Sequence, residues 1–386
     1  MSRFRLDALE SGISTTVSLE TLDAGLKGYN KGSLGGDLWH PNELKSLPTL
    51  ARQQIATNLN KSFKELAWPH QSILSLNPCL GKPSGGCRTI CKTPMLYRMC
   101  LRGLKGVPKW ERMFTQAYDK AKRGSSCLLT ALARGLRAEI AHWCKRVPVA
   151  VFNDMEKFFD SIDIELLLHE AIQLDFPADI LVMALQQHLA PRVIQAQGYS
   201  SLPMEITNGI LQGCLLSVCL TRLYLLRDIR ALADSNPEAN TTVFVDDTSC
   251  DTVQDTFCEG LDIVTPFTID FAKRMRAKKL ILSSKGSVLS NTPNRTRILQ
   301  SILAKSNVLY NAADSARDLG VEYTAGTRRP KAIILTRLRK VKHRILKIQQ
   351  ISRISRMVGS SLLELPMQLL LGGTSLLVYR PTKLLT

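Results

Sequence analysis

Residues 147–160 read VPVAVFNDMEKFFD, and residues 241–247 read TTVFVDD. Each is a short apolar, β-branched run that closes on acid. Val147 to Phe152 leads into Asp154, and Thr241 to Val245 leads into Asp246 and Asp247. Runs of this length and composition form buried strands. A carboxylate beside a buried strand is costly, and adjacent carboxylates raise each other's pKa unless a cation neutralises them. Three acids delivered to one edge of a sheet therefore predict a divalent-metal site, with hard oxygen ligands that suit Mg²⁺ or Mn²⁺. An Asp-Asp pair alone is also a common hairpin-turn sequence, so the company these residues keep decides between the readings.

Working outward, Thr248 to Val253 is the hairpin partner of the second run. Helices are expected over Glu165 to Leu174, Ala178 to Leu189, Ser217 to Ala233 and Leu261 to Met275. A strand pair is expected around Gly198 between Arg192 and Ile206, and another from Lys279 to Leu282 with Val288 to Leu289. That order matches a split βαβ plan, an antiparallel sheet backed by helices. Upstream, Leu50 to Leu66, Met95 to Lys105 and Cys127 to Lys145 carry helical patterns. The Gly/Pro-punctuated stretch LNPCLGKPSGGCRTICKTP (76–94) reads as a hairpin bearing basic residues. Residues 1 to about 48 lack sustained periodicity and are expected to be an irregular or partly disordered lead-in. Beyond Asn291 the chain is expected to be basic and mostly helical, with Arg328, Arg329, Lys331, Arg337, Arg339, Lys340, Lys342, Arg344 and Lys347 uninterrupted by any acid.

The 386 residues carry 51 Lys and Arg against 33 Asp and Glu, a net charge of +18, which favours a polyanionic partner over a neutral metabolite. Ten cysteines show no paired CxxC spacing. Cys87 and Cys91 come nearest to a ligand pair, yet no second pair follows, so reduced thiols in an intracellular protein are expected. No basic-then-apolar leader opens the chain. The apolar stretch 361–379 is broken by Glu364, Pro366, Gln368 and Gly372-Gly373, so no membrane anchor is expected. His142, His169 and His188 form no ligand pair and are expected to be structural or exposed.

Several blocks occur in the order of one known family. LGKPSGGCRTI followed by Pro94 to Arg98 (PMLYR) is similar to a fingers segment. DMEKFFDSI resembles a first acidic block, and NGILQGCLLS (208–217) a Gly/Gln-Gly/Ser block. FVDD resembles the aromatic-x-Asp-Asp signature, while KKLILSSK, whose basic ends are Lys278 and Lys285, and Leu319-Gly320-Val321 resemble the last two palm blocks. Together they make residues 76 to 323 resemble the reverse transcriptase domain, especially that of non-LTR retrotransposons.

The resemblance implies an α+β right-hand polymerase that extends a DNA primer on an RNA template from deoxynucleoside triphosphates. Residues 1–75 would be an N-terminal extension and 76–146 the fingers. Residues 147–323 would be the palm, with a fingers insertion near 165–203, and 324–386 a partial, basic, helical thumb. Asp154, Asp246 and Asp247 would hold two metal ions, Mg²⁺ with Mn²⁺ as the alternative, which activate the primer 3′-hydroxyl and stabilise the leaving pyrophosphate. Phe159 would exclude a 2′-hydroxyl, the alternative being core packing, with its neighbour Phe158 the better core candidate. Gln212 and Gly213 would shape the floor of the nucleotide and template site, unless they form only a helix-capping turn. Lys82 and Arg88 would contact the triphosphate, or else be solvated surface charges. Lys285 would approach the pyrophosphate as a general acid, a surface lysine being the alternative.

Arg328, Arg329, Arg337, Arg339, Lys340, Lys342 and Arg344 would track the phosphates of the primer–template duplex without reading bases. The competing readings are a solvated helix face or a nuclear-localisation patch. The sequence departs from the family pattern at Leu211 and Val218, where Pro is common, and at Phe244, where Tyr is usual. The family's habit of priming at chromosomal DNA implies nuclear residence. An upstream endonuclease domain has no room here, so a fragment or decayed copy of a longer polyprotein is expected. Two other functions remain open, an inactive retroelement-derived nucleic-acid binder and an RNA-dependent RNA polymerase.

Overall fold

A computed structural model of the protein describes residues 2–10, 12–29, 34–82, 86–122, 124–326, 335–336, 338–342 and 344–346. The chain begins with helices α1 (Ser2–Glu10), α2 (Leu19–Leu26), α3 (Pro41–Ser46) and α4 (Thr49–Glu65). Three short helices thus interrupt the lead-in expected to be irregular over the first 48 residues, while 12–18, 27–29 and 34–40 carry neither helix nor strand. Three of these helices run two and a half turns or less, too short for a periodic pattern, and their caps were the readable signal. The Ser18 hydroxyl accepts from the Thr21 N–H, and His40 Nδ1 accepts from the Asn42 N–H while Glu43 accepts from the His40 N–H.

The expected basic hairpin follows as β1 (Ser75–Gly81) and β2 (Cys87–Thr89), paired antiparallel. Next come α5 (Met95–Gly103), α6 (Gly106–Phe114), α7 (Cys127–Trp143) and β3 (Val147–Asn153). Helices α8 (Phe158–Ser161), α9 (Ile164–Gln173) and α10 (Ala178–His188) lead to β4 (Arg192–Ala196) and β5 (Tyr199–Ser200). Then follow α11 (Ser217–Ser235), β6 (Asn240–Phe244), β7 (Asp247–Gln254) and α12 (Phe257–Ala277). The described chain continues through β8 (Ser287–Ser290), α13 (Pro293–Lys305), β9 (Asn311–Ala312), β10 (Ala316–Asp318) and β11 (Val321–Tyr323).

The chain divides into two compact units, each assembled from separated stretches. The first comprises 1–116, 156–231 and 274–281, and the second 117–155, 232–273 and 282–386. In the first, a four-stranded sheet has the order β2-β1-β4-β5, with β1 and β4 parallel in the register Ser75↔Arg192 to Pro78↔Gln195. Helix α10 is buried almost all round, which explains why its sequence is apolar on every face. Trp68 donates its indole N–H to the Met183 carbonyl at 2.8 Å, and Trp110 to that of Leu174 at 2.8 Å, so both large rings are buried without an orphaned donor.

In the second unit a five-stranded sheet has the order β6-β7-β3-β8-β9. Its first four strands are antiparallel, as the sequence predicts, and β3 lies at the centre; β8 and β9 are parallel, so the sheet is mixed. The strand pair expected from Lys279 to Leu282 does not form. Lys279 takes a left-handed φ of 60°, and Leu282 makes one isolated bridge to Met155, while β8 pairs with β3 and β9 instead. Past Asn291 the described residues are helical in α13 and again at 335–336, 338–342 and 344–346; between them lie three strands of two or three residues, too short to show a period of two. Helix α7 buries Ala131, Arg134, Ala138 and Ala141. Ala138 joins Ala150, Leu289, Ala316, Tyr323 and Ala325 in a small-residue core that lets helix, sheet and the β10–β11 hairpin approach closely.

Candidate active site

The acids collect at one end of the second unit's sheet. Antiparallel register sets Asn153 on β3 opposite Thr248 on β7, so the next residues outward, Asp154 and Asp247, lie at the same end of neighbouring strands. Phe244 pairs with Asp247, which leaves Val245 and Asp246 as a two-residue hairpin loop. Val245 has φ 60°. A β-branched side chain in the left-handed region is strained, and the flanking ladder must hold it there. Replacing Val245 by Gly is expected to raise unfolding stability by about 1 kcal/mol in denaturant titration, because Gly adopts this conformation without the Cβ clash.

Asp154 and Asp246 are half-buried, and Asp247 is more exposed. Desolvation, then the charges of Asp246 and Asp154, push the Asp247 carboxyl up to about 7, opposed chiefly by the Arg317 guanidinium. Solvent at its open edge screens part of this shift; the upward direction follows from desolvation together with the neighbouring carboxylates at the same strand end. Among the described residues, no three His, Cys, Asp or Glu side chains converge as a finished metal cage. Clustered negative charge on hard oxygen donors nevertheless fits a divalent cation that draws its remaining ligands from water and phosphate. The Asp154 carbonyl accepts from the Ser283 N–H at 2.8 Å. Two residues further, Lys285 is exposed, its backbone N–H bonded to Ser283 Oγ at 3.2 Å.

Behind the acids lies a charge network that the sequence reading missed. Arg134, 1% exposed, donates to Asp251 at 2.9 Å and to Ser249 Oγ at 2.6 Å, and pairs with Asp318, 3% exposed. Arg137 donates two further bonds to Asp251, at 2.9 and 2.7 Å. The Arg134 guanidinium also lies 5.1 Å from the Phe152 ring centroid. Two signals were present. Arg134 is the one charge on the inner face of α7, and Asp247, Ser249 and Asp251 share a face of β7 by strand alternation.

The other candidates lie in the first unit. Phe159 is half-buried on the one-turn helix α8 and Phe158 is 3% exposed, so the two diverge around a helical turn. The Phe159 carbonyl accepts from the Ile210 N–H at 2.7 Å, and the Gln212 carbonyl from the Cys91 N–H at 2.7 Å. Phe159, the Gln212-Gly213 turn and the end of the basic hairpin are therefore neighbours. Gly213 has φ 104°, and a Cβ there would lie 2.8 Å from Ile90 and 3.1 Å from the Cys91 carbonyl, so only Gly fits this approach. Lys82 and Arg88 are exposed on the hairpin, Arg88 opposite Leu80.

Leu211, one of the departures from the family pattern, donates its N–H to Nδ1 of fully buried His188 at 2.9 Å. Proline has no N–H to give, so the departure matches its local partner. Burial lowers the His188 pKa from 6.5 to about 3. Below pH 6.5 the unfolded chain takes up a proton that the folded chain refuses, so this contribution is complete above 6.5 and is lost as pH falls towards 3. Moving from pH 7 to pH 5 is expected to cost about 2 kcal/mol of stability, and a His188→Gln variant should lose that part of the slope in denaturant titrations.

Arg339, Lys340, Lys342 and Arg344 are exposed and helical, whereas Arg328, Arg329 and Arg337 lie outside the described residues. No helix among the described residues is long and apolar enough to cross a membrane.

No protein-family model matches the chain, and no curated protein does. Among solved structures it is similar to apo telomerase from Candida tropicalis truncated from its C-terminal domain, with 10% sequence identity and a TM-score of 0.44. The likeness covers 66% of this chain and 54% of that one, so the chain spans about half of that structure's length. A likeness this slight defines neither fold nor activity.

Proposed function

We propose that the chain is an RNA-directed DNA polymerase of the reverse transcriptase kind, resembling that of non-LTR retrotransposons. The observation that carries this reading is the placement of Asp154, Asp246 and Asp247 at one end of neighbouring strands, where desolvation and then the charges of Asp246 and Asp154 push the Asp247 carboxyl upward. The three carboxylates would hold divalent cations, Mg²⁺ or Mn²⁺, which supply Lewis-acid activation of a primer 3′-hydroxyl and neutralise the phosphates. The strained Val245 loop presents Asp246, and the Arg134 network fixes the β7 face that carries Asp247. In this reading the five-stranded sheet belongs to the palm, the β1–β2 hairpin to the fingers, and residues 324–386 to a thumb.

Phe159 would close the space beside the sugar C2′, and Gln212 with Gly213 would form the floor beside it. Arg88 would grip a triphosphate bidentately and Lys82 would act on it as a point charge. Lys285 would give a proton to the departing pyrophosphate. The exposed Arg339, Lys340, Lys342 and Arg344 would meet the duplex backbone, with binding that weakens steeply in salt. RNA template, DNA primer and deoxynucleotides are the partners, and residence in the nucleus follows the family's habit.

The test is Mg²⁺-dependent extension of a DNA primer on an RNA template with deoxynucleotides. Extension supports the reading. Salt-sensitive RNA binding without extension would replace it with an inactive retroelement-derived binder, and preference for ribonucleotides with an RNA-dependent RNA polymerase. A Phe159→Val variant is expected to gain at least about tenfold in ribonucleotide use relative to deoxynucleotide use, the scale of a lost steric contact. Unchanged sugar selectivity in single-turnover incorporation would remove Phe159 from the gate.

A further inference from the structure

Helix α7 carries its large apolar side chains on the side turned to solvent. Its inner face is Ala131, Arg134, Ala138 and Ala141. Its outer face shows Leu129, Leu132, Leu136, Ile140 and Trp143, each at least 46% exposed and the Trp 90%. These five are spaced by 3, 4, 4 and 3 residues, so they form one continuous stripe along about four turns. All belong to the second unit. Isolated exposed leucines are ordinary; a contiguous stripe ending in an open Trp marks an interaction surface.

The order of the stripe points to its occupant. The spacing reads the same from either end, with Leu136 at the midpoint. Two copies of α7 laid antiparallel about a two-fold axis at Leu136 therefore place stripe on stripe. Leu129 of one copy then meets Trp143 of the other, Leu132 meets Ile140, and Leu136 meets Leu136. Such an isologous contact closes on itself and needs no second kind of surface. The flanks of the stripe are small. Ala133 is exposed, and a Cβ added at Gly135 would meet nothing within 4 Å, so packing inside the chain does not call for Gly there. Gly is unfavourable within a helix, and beside the midpoint it lets a second helix come close.

We propose that the outer face of α7 is a homodimer interface, with a second copy of the chain packed antiparallel on Leu129, Leu132, Leu136, Ile140 and Trp143. Area sets its strength. Each copy offers on the order of 600 Å², which gives on the order of 1,200 Å² in total, the lower bound of specific interfaces. That size makes a reversible dimer and not an obligate one. The pairing is independent of the polymerase reading.

Sedimentation of the full chain over a dilution series is the test. The expected result is a mass that rises from one chain towards two across about 0.1 to 100 µM. The Trp143 emission, isolated by subtracting the fluorescence of a Trp143→Phe chain, should shift to the blue over the same range. Leu136→Glu and Leu136→Lys each set like charges against one another at the axis, and either variant alone should stay monomeric. Because position 136 faces itself, an equimolar mixture of the two variants should recover the dimer. Both changes fall on an exposed side chain, so the melting temperature of the dilute chain should be unchanged. One chain's mass at every concentration, or a dimer that survives Leu136→Glu, would overturn the proposal. So would a mixture that stays monomeric while the unaltered chain dimerises. Trp143 emission already blue-shifted at the highest dilution would also overturn it, assigning the face to cover from within the chain.

Discussion

Replacing Asp246 by Asn is expected to reduce Mg²⁺-dependent deoxynucleotide incorporation by at least about 10³-fold, equivalent to roughly 4 kcal/mol of lost transition-state stabilisation. The substitution keeps the shape of the side chain in the two-residue loop, so the β6–β7 ladder and the melting temperature should be unchanged. RNA binding should persist as well, because the basic residues proposed to neutralise phosphates lie elsewhere in the sequence. Single-turnover extension on an RNA template, measured beside a filter-binding isotherm, separates the two effects. Incorporation that survives the change at more than a tenth of the original rate would remove Asp246 from the chemistry.

Arg134→Met should produce the largest loss of stability. It deletes the charge between Asp251 and Asp318 at the core of the second unit, and breaking such a buried pair costs about 3–5 kcal/mol. Asp251 keeps Arg137, whereas Asp318 loses the guanidinium that pairs with it. Burial already raises the Asp318 carboxyl, with Arg134 the first opposing charge, so removing Arg134 drives it higher. A carboxyl raised in the folded state loses stability as pH climbs from the unfolded carboxylate range through its folded pKa. The melting deficit of Arg134→Met should therefore be larger at pH 8 than at pH 5. Adding Asp318→Asn should recover part of the deficit and flatten its pH dependence; equal deficits at both pH values would count against an uncompensated Asp318.

The sequence made the two acid-tipped strands legible because both are apolar, β-branched and five to seven residues long, and because their turn chemistry is local. The pairing of β6 with β7 followed from that pattern, whereas the pairing of β7 with β3 is known only from the fold. The parallel contacts of β1 with β4 and β8 with β9 did not follow from it either, since nothing local in two to seven residues specifies a partner far along the chain. Helix α2 went unread for another reason. Its close approach to α5 depends on Gly25 and Gly103, whose added Cβ atoms would collide with the Met99 and Thr21 carbonyls. A lone Gly in a short helix reads as a breaker until its neighbour is known.

Within the candidate site, residue types were legible and their support was not. Asp154, Asp246 and Asp247 announce themselves as acids at the ends of apolar runs. Arg134 looks like one more basic residue on a basic chain, and His188 like an unremarkable member of an apolar helix. Only the fold shows that each is a buried polar group serving a neighbour.

The alternation of the chain between its two units bears on how the protein is made and taken apart. The first unit needs residues as late as 281, and the second begins at 117. A nascent chain leaving the ribosome therefore cannot finish one unit before starting the other, and both must wait for the later stretches, with apolar surface open to chaperones meanwhile. The same threading means that any truncation ending between 117 and 281 leaves both units incomplete. Fragments for expression are better obtained by cutting at surface loops and keeping both pieces together than by shortening the chain.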